Sequence, residues 1–172
     1  MVLKPSDLLT GERVLFSKNA NFRLSAAEAL GGRLHVTDLR LVFDAHPVNS
    51  VVGRVSIFLP TITKLTDSSR LLAKRLTVVT TSQQLELVVW GVPALIGRIL
   101  AARDALPLDA PGRILAGLTA KPGILGEDAE FEPFARLLRE PGFDPRGRVL
   151  PWPAHPLGGI SALNAVSLAI PR

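Results

Sequence analysis

Apolar and polar residues alternate along much of the first ninety positions, as they do in half-buried β-strands. The clearest case is Gly31–Ala45, where two β-rich segments meet across a short polar turn. Leu34 and Val36 alternate with polar residues in the first segment, and Leu41 and Phe43 do so in the second. The run predicts an antiparallel hairpin with one face turned to a core and the other to water.

Turn residues divide the alternating pattern into seven predicted strands. They are Glu12–Ser17, Leu30–Thr37, Arg40–Ala45, Arg54–Leu59, Thr61–Thr66, Lys74–Thr81 and Gln84–Trp90. Thr37 and Asp38 offer side-chain acceptors to the turn of the hairpin. Pro60 lacks an amide donor and predicts a corner between two strands. Residues 18–29 show no clean alternation, and this predicts a long loop.

The hydrophobic period changes at Gly91. From Val92 to Leu106 six large apolar residues recur at helical spacing, and Pro93 lies in the first turn, where its missing N–H costs nothing. An antiparallel barrel must protect its edges and fill its open end, and one amphipathic helix can fill that end. The predicted fold is therefore mainly β, an antiparallel barrel of about seven strands capped by one C-terminal amphipathic helix.

The hairpin resembles a known family. Its motif Gly-Arg-Leu-x-Val-Thr-x-x-Arg-Leu-Val-Phe, residues 32–43, is similar to the second and third strands of the GRAM domain, a member of the pleckstrin-homology-like superfold. The order of a lead strand ending at Phe16, this hairpin, further strands and a closing helix is similar too. The resemblance covers roughly residues 8–106. It implies a barrel that docks at membranes or on other proteins without catalysis.

Residues 107–172 have a different composition. They hold ten of the 14 prolines and eight of the 14 glycines, near the level typical of linkers. They also hold many large apolar residues, and helical spacing with flanking prolines predicts a short helix at about Glu132–Glu140. We therefore expect a barrel with its capping helix in residues 1–106, and a Pro/Gly-rich C-terminal extension over 107–172 that packs on the barrel.

Composition is that of a globular protein, with 47% hydrophobic and 20% charged residues. The absence of cysteine excludes disulfides, thiolate catalysis and cysteine zinc sites. No apolar secretory segment lies near the first residue, and Ile160–Ile170 is too short to span a bilayer, which takes about 20 apolar residues. We expect a cytoplasmic protein that can associate peripherally with a membrane. The ratio of 15 arginines to 5 lysines points to a bacterial genome rich in G and C.

The net charge is +5, and all of the excess lies in residues 1–106, with 13 Lys and Arg against 8 Asp and Glu. Such a surface favours contact with anionic lipid or acidic protein. The residues predicted to bind an anionic ligand lie around the first loop, on the outward face of the hairpin and at a later turn. They are Lys18, Arg23, Arg33, Arg40, Arg70, Lys74 and Arg75. The resemblance implies phosphoinositide binding near the first loop, but Ser25 replaces an expected arginine there, so a merely solvated basic surface is the alternative.

Motifs for nucleophilic hydrolysis, nucleotide binding and metalloprotease chemistry do not occur. The predicted register sets His35 opposite Val42 and His46 opposite Gly31, so these two histidines do not converge. Zinc normally takes three or four close ligands, and we predict no metal site, no cofactor and no catalytic residue. Basic residues are not interleaved with aromatic ones, so nucleic acid is not expected as a partner.

The function hypothesis is a non-catalytic interaction module that docks on a protein partner or an anionic membrane surface. Two alternatives come from other classes. One is a small hydrolase or lyase with a pocket between barrel and extension, where His155 would act with Asp144. The other is a self-associating structural protein. Neither the partner nor the oligomeric state follows from the sequence.

Overall fold

The computed structural model describes residues 3–23, 27–46, 48–49, 52–71, 73–80, 84–121, 124 and 166–169. The strands are β1 Val14–Arg23, β2 Ala29–Thr37, β3 Arg40–Ala45, β4 Val52–Phe58, β5 Ile62–Asp67, β6 Arg75–Thr80, β7 Gln84–Val88 and β8 Val166–Ala169. The helices are α1 Val92–Asp104 and α2 Ala110–Ala120. Short 3-10 turns lie at Pro5–Asp7 and at Leu59–Thr61.

The eight strands form one antiparallel sheet in the order β5-β6-β7-β1-β2-β3-β4-β8. Seven strands followed by a helix were predicted, and this arrangement is confirmed. The register of the hairpin is also as predicted, because His35 lies opposite Val42 and the amide of His46 donates to the carbonyl of Gly31 at 2.8 Å. The 3-10 turn that contains Pro60 forms the corner between β4 and β5.

β1 is longer than predicted, and the loop expected over residues 18–29 is wrong in its first part. Ala20 and Phe22 are buried there, while Asn19 and Asn21 are exposed. The alternation is thus present, but alanine is only weakly apolar and asparagine is depleted in strands, which hid the pattern. The added length places two asparagine side chains on the outer face of the sheet.

The inner face of the sheet and α1 share one apolar core. Leu95 and Ile99 of α1 are no more than 2% exposed within it, as the helical spacing predicted. Burying a side chain of this size contributes about 1.5–3 kcal/mol. α1 begins after Gly91, whose φ of +66° is the left-handed conformation that glycine adopts without strain. No helix within the described ranges is long and apolar enough to cross a membrane.

α2 was not predicted, and it joins the same core. Ile114 and Leu118, one helical turn apart, are fully buried. Gly117 gives room for the segment that precedes β1, because a Cβ at this glycine would lie 2.9 Å from Cβ of Leu9. The ammonium group of Lys121 donates to two backbone carbonyls of that segment, at 2.8 and 3.2 Å. α2 therefore holds the beginning of the chain against the sheet.

The outer face of the hairpin is buried, although the pattern predicted a face turned to water. Four polar side chains of this face are at most 6% exposed, namely His35, Thr37, Arg40 and Asp44. The segment before β1 lies against part of the face, since the backbone carbonyl of Asp7 accepts a hydrogen bond from Arg40 at 2.8 Å. Alternation tells which residues share a face, but it does not tell whether another part of the chain covers that face.

β8 pairs with the outer edge of β4, with Ala169 opposite Val52. The last described residues thereby extend the sheet by one strand that the sequence pattern did not predict. The helix predicted at Glu132–Glu140 lies outside the described residues. So do His155 and Asp144, on which the hydrolase or lyase alternative depends.

Candidate functional site

Two adjoining clefts open on the outer face of β1. The larger, here called the Gly31 cleft, has a volume of about 470 Å³ and is lined by residues 19–21 and 31–33 together with Asp44, His46 and Asn49. The smaller, the Trp90 cleft, has a volume of about 210 Å³ and is lined by residues 19–21 and 88–90 and by Lys74. Residues 19–21 of β1 form a wall of both clefts.

The pairing of β1 explains why two clefts lie side by side. β1 pairs with β2 along its whole length, but it pairs with β7 at only two positions, Asn21 with Val88 and Phe22 with Leu87. Beyond this short pairing no ladder joins the two strands, and the Trp90 cleft lies there. On the other side the outer surface of β1 continues directly onto β2 and the Gly31 cleft.

Bare backbone forms the floor of the Gly31 cleft. A Cβ at Gly31 would lie 3.6 Å from Oδ1 of Asn21 and 3.9 Å from Oδ1 of Asn49, so two amide oxygens flank the glycine. Nδ2 of Asn49 donates to the carbonyls of Gly31 and His46 at 2.7 and 2.8 Å, which fixes the side chain. Oδ1 of Asn49 is therefore held as an acceptor beside the floor.

Arg33 is the cation of the Gly31 cleft. Its Nε is buried and has no hydrogen-bond partner, and within the described part of the chain its guanidinium forms no ion pair. Asp44 lies opposite Arg33 in the register, yet it pairs with Arg54 at 3.5 Å. Arg54 also binds Asp7 at 3.2 Å. Arg33 thus lines the cleft with a guanidinium that the neighbouring carboxylate does not bind.

The two carboxyl groups around Arg54 differ in acidity. Burial raises the pKa of Asp44, and the charge of Arg54 opposes this only in part. Burial also acts to raise the pKa of Asp7, but a hydrogen bond from the amide of Lys4 and the charge of Arg54 outweigh it and bring the pKa below its usual range. Arg54 is therefore committed to this pair of carboxylates.

The Trp90 cleft combines an exposed indole with one lysine, and a second lysine lies nearby. Trp90 is 68% exposed and shares the cleft with Lys74. The ammonium group of Lys18 lies outside the cleft lining but beside the residue that follows Trp90, 3.1 Å from where a Cβ on Gly91 would lie. Neither lysine forms an ion pair with any residue that the structure describes. Leu71, three residues before Lys74, is 97% exposed in the connection between β5 and β6.

The remaining basic residues predicted for an anionic ligand are placed differently. Arg23 and Arg75 share one carboxylate, since they lie 3.6 and 3.2 Å from the two oxygens of Glu86. Their charge is thereby partly neutralised. Arg70 is exposed in the connection between β5 and β6, next to Leu71. Of the predicted set, Lys74 lines the Trp90 cleft, Lys18 lies beside Gly91, and Arg33 lines the Gly31 cleft.

Arg40 was predicted to project from the outward face, and this is wrong. The side chain is fully buried, with Nε 2.9 Å from one carboxylate oxygen of Glu12 and Nη2 3.1 Å from the other. Nη1 donates to the hydroxyl of Ser56 at 2.7 Å. The same Glu12 lies 2.7 Å from the hydroxyl of Thr37, which accepts hydrogen bonds from two amides of the hairpin turn. Arg40 therefore anchors the segment before β1 rather than an external anion.

His35 lies in the buried layer beneath the outer surface. Its Nδ1 is 2.7 Å from the hydroxyl of Ser17, while Nε2 is buried without a hydrogen-bond partner. Burial, assisted by the charge of Arg33, lowers the pKa of His35 to about 4. The imidazole is therefore neutral near pH 7. Among the residues that the structure describes, no group of three or more candidate ligands could hold a metal ion.

This histidine makes stability depend on pH. Its pKa is about 4 in the native state and ordinarily 6.5, so the unfolded chain binds the proton more readily between these values. We expect the free energy of unfolding to fall by up to about 3 kcal/mol as the pH drops from about 6.5 to 4. Urea denaturation across this range measures the loss, and His35→Gln should reduce its steepness. Equal pH dependence of variant and parent would contradict the assignment.

Comparisons with known proteins find a likeness to solved structures only. No family profile and no curated protein matches the chain. Among solved structures, the C-terminal domain of an unknown protein from Leishmania infantum is similar at 18% identity and a TM-score of 0.47, covering 54% of this chain and 85% of that one. The Vps36 N-terminal PH domain is similar at 16% identity and a TM-score of 0.42, covering 55% and 79%. By its own topology, with seven antiparallel strands followed by a helix packed on their core, the chain has the mainly β fold that its sequence pattern predicts.

Proposed function

We propose that this chain is a non-catalytic interaction module that docks on anionic membrane surfaces through the rim of the Trp90 cleft. The rim, as named here, comprises Lys74 and Trp90 of the cleft lining, Lys18 beside Gly91, and Arg70 and Leu71 of the connection that precedes Lys74. The observation that carries the proposal is the exposed indole of Trp90 next to two lysines that form no ion pair with a described residue. The positive excess of residues 1–106 and the resemblance to the GRAM domain support the same reading.

The chemistry of the rim suits a lipid headgroup layer. An indole is amphipathic and is favoured at the boundary between water and acyl chains. Each lysine near an anionic leaflet contributes about 1 kcal/mol of attraction, and this attraction is screened by salt. Leu71 adds an apolar side chain that can enter the interface. The combined affinity is expected to be modest and to depend on the fraction of anionic lipid.

Vesicle co-sedimentation tests the proposal. We expect the full chain to partition onto vesicles that contain phosphatidylserine, more strongly as the anionic fraction rises and less strongly as salt is added. Lys74→Gln should lower the partition coefficient about fivefold, because about 1 kcal/mol of attraction is lost. Trp90→Ala should lower it by at least a similar factor through loss of interfacial contact.

Two matched variants act as controls. Leu108 is 76% exposed just beyond the other end of α1, about 20 Å along the helix axis from Trp90. Lys64 is exposed on β5 and lies outside both clefts. Leu108→Ala and Lys64→Gln should each leave partitioning within about twofold of the parent, since neither residue belongs to the rim. Negligible binding at low salt, or equal losses for control and rim variants, would remove the membrane proposal and leave docking on a protein as the remaining version.

A further inference from the structure

We propose that the Gly31 cleft binds the carboxyl-terminal end of a peptide chain. The terminal carboxylate would pair with Arg33, and the last peptide groups would hydrogen-bond to the asparagine side chains above the glycine floor. The proposal rests on the Gly31 cleft alone and does not depend on membrane docking at the Trp90 rim.

The charge of the cleft favours a monoanion. Arg33 supplies one guanidinium whose Nε is buried and unpartnered, and a guanidinium fork matches a carboxylate through two parallel hydrogen bonds. The opposite residue, Asp44, is itself a buried carboxylate, and its partner Arg54 is shared with Asp7. A ligand with two or three negative charges would therefore meet repulsion that one arginine does not offset. A single carboxylate is balanced by Arg33.

The hydrogen-bonding groups favour a peptide over a simple anion. Oδ1 of Asn49 is held as an acceptor because Nδ2 of the same side chain is already engaged, and Oδ1 of Asn21 flanks the floor from the other side. A ligand with N–H donors can hydrogen-bond to these acceptors. A peptide carries N–H groups and a phosphate does not. The bare backbone at Gly31 lets an extended chain approach closely.

The dimensions of the cleft agree with a short peptide end. A volume of about 470 Å³ lies within the range of small-ligand sites, roughly 300–1,000 Å³, and is suited to about two or three residues. Six of the ten lining residues have polar side chains, so a ligand can form hydrogen bonds close to the floor. Val48 is 83% exposed at the rim and offers one apolar contact to a ligand side chain.

Nuclear magnetic resonance titration of the isotope-labelled full chain tests the inference. The probes are N-acetyl-alanyl-alanine with a free carboxylate, the same dipeptide with a carboxyl-terminal amide, and inorganic phosphate. We expect the free acid to shift the amides of Gly31 and Gly32 and the Nε–H signal of Arg33, with affinity about tenfold higher than that of the amide, since the charge-assisted pair is lost in the amide. Equal affinity for acid and amide, or tighter binding of phosphate, would overturn it.

Variants separate this site from the rest of the surface. Arg33→Gln should lower the affinity for the free acid about tenfold, whereas Arg70→Gln, an exposed arginine outside the cleft, should leave it unchanged. Gly31→Ala gives a second route, because the added methyl group meets only ordinary contacts in the fold yet occupies the floor. Trp90→Ala should leave peptide affinity intact, so failure of this site and failure of membrane docking can be told apart. Unchanged affinity in both Arg33→Gln and Gly31→Ala would refute the proposal.

Discussion

Glu12→Ala is expected to lower the free energy of unfolding by about 3–5 kcal/mol, because it leaves the guanidinium of Arg40 buried without its counter-charge. Arg40 is fully buried, and both carboxylate oxygens of Glu12 lie within 3.1 Å of it. Glu12 also accepts a hydrogen bond from the amide of Leu9, so the segment before β1 loses its attachment as well. Urea denaturation followed by circular dichroism measures the loss.

Two further variants show whether the cost comes from the unpaired charge. Arg13→Ala breaks the 3.6 Å ion pair between this solvent-exposed arginine and Asp38, and should cost less than about 1 kcal/mol. The double variant Glu12→Leu with Arg40→Met removes both charges and should be more stable than Glu12→Ala alone, since apolar pairs of similar volume often replace buried ion pairs without loss. If Glu12→Ala lowers the free energy of unfolding as little as Arg13→Ala does, the buried ion pair is not critical for stability.

Gly32→Ala is expected to cost about 3 kcal/mol or more, an effect of the size seen when a core is overpacked against immobile atoms. A Cβ at Gly32 would overlap the backbone carbonyl oxygen of Asp44 and approach Cζ of Phe43 to 2.6 Å. The carbonyl belongs to the paired strand β3 and has little freedom to move. Thermal unfolding gives the comparison between variant and parent.

Another glycine supplies the matched control for this prediction. Gly97 lies in α1 with nothing within 4 Å of a Cβ, so Gly97→Ala should stabilise the chain by about 0.5–1 kcal/mol through helix propensity. The same chemical change thus has opposite signs at the two positions. A loss at Gly97, or no loss at Gly32, would mean that the packing around these glycines differs from that described.

The sequence pattern predicted the hairpin, its register and the capping helix because each depends on local periodicity. The Pro60 corner followed from the missing donor of proline in the same way. α2 carried a usable signal, since Ala110, Ile114 and Leu118 recur every four residues, but the surrounding prolines and glycines obscured it. The division of the chain into residues 1–106 and 107–172 stays a prediction.

The candidate site was less accessible to sequence reasoning. Counting cations identified Arg33, Lys18 and Lys74, but it could not show that Glu12, far away in the chain, would meet Arg40 inside the fold. Asn19 and Asn21 of the Gly31 cleft were missed because residues 18–29 were predicted to form a loop. Partner choice among charges and the covering of a sheet face are set by tertiary structure, which no local pattern encodes.

The contacts between α2 and the beginning of the chain have a kinetic consequence. Lys121 donates a hydrogen bond to the carbonyl of Leu8, 113 residues earlier in the sequence. Arg113 donates one to the carbonyl of Gly11, 102 residues earlier. Closing loops of this size costs conformational entropy before the compensating contacts can form. This cost slows folding in domains rich in non-local pairings. The segment before β1 and α2 should therefore gain protection from hydrogen exchange together, late in refolding, rather than as independent local elements.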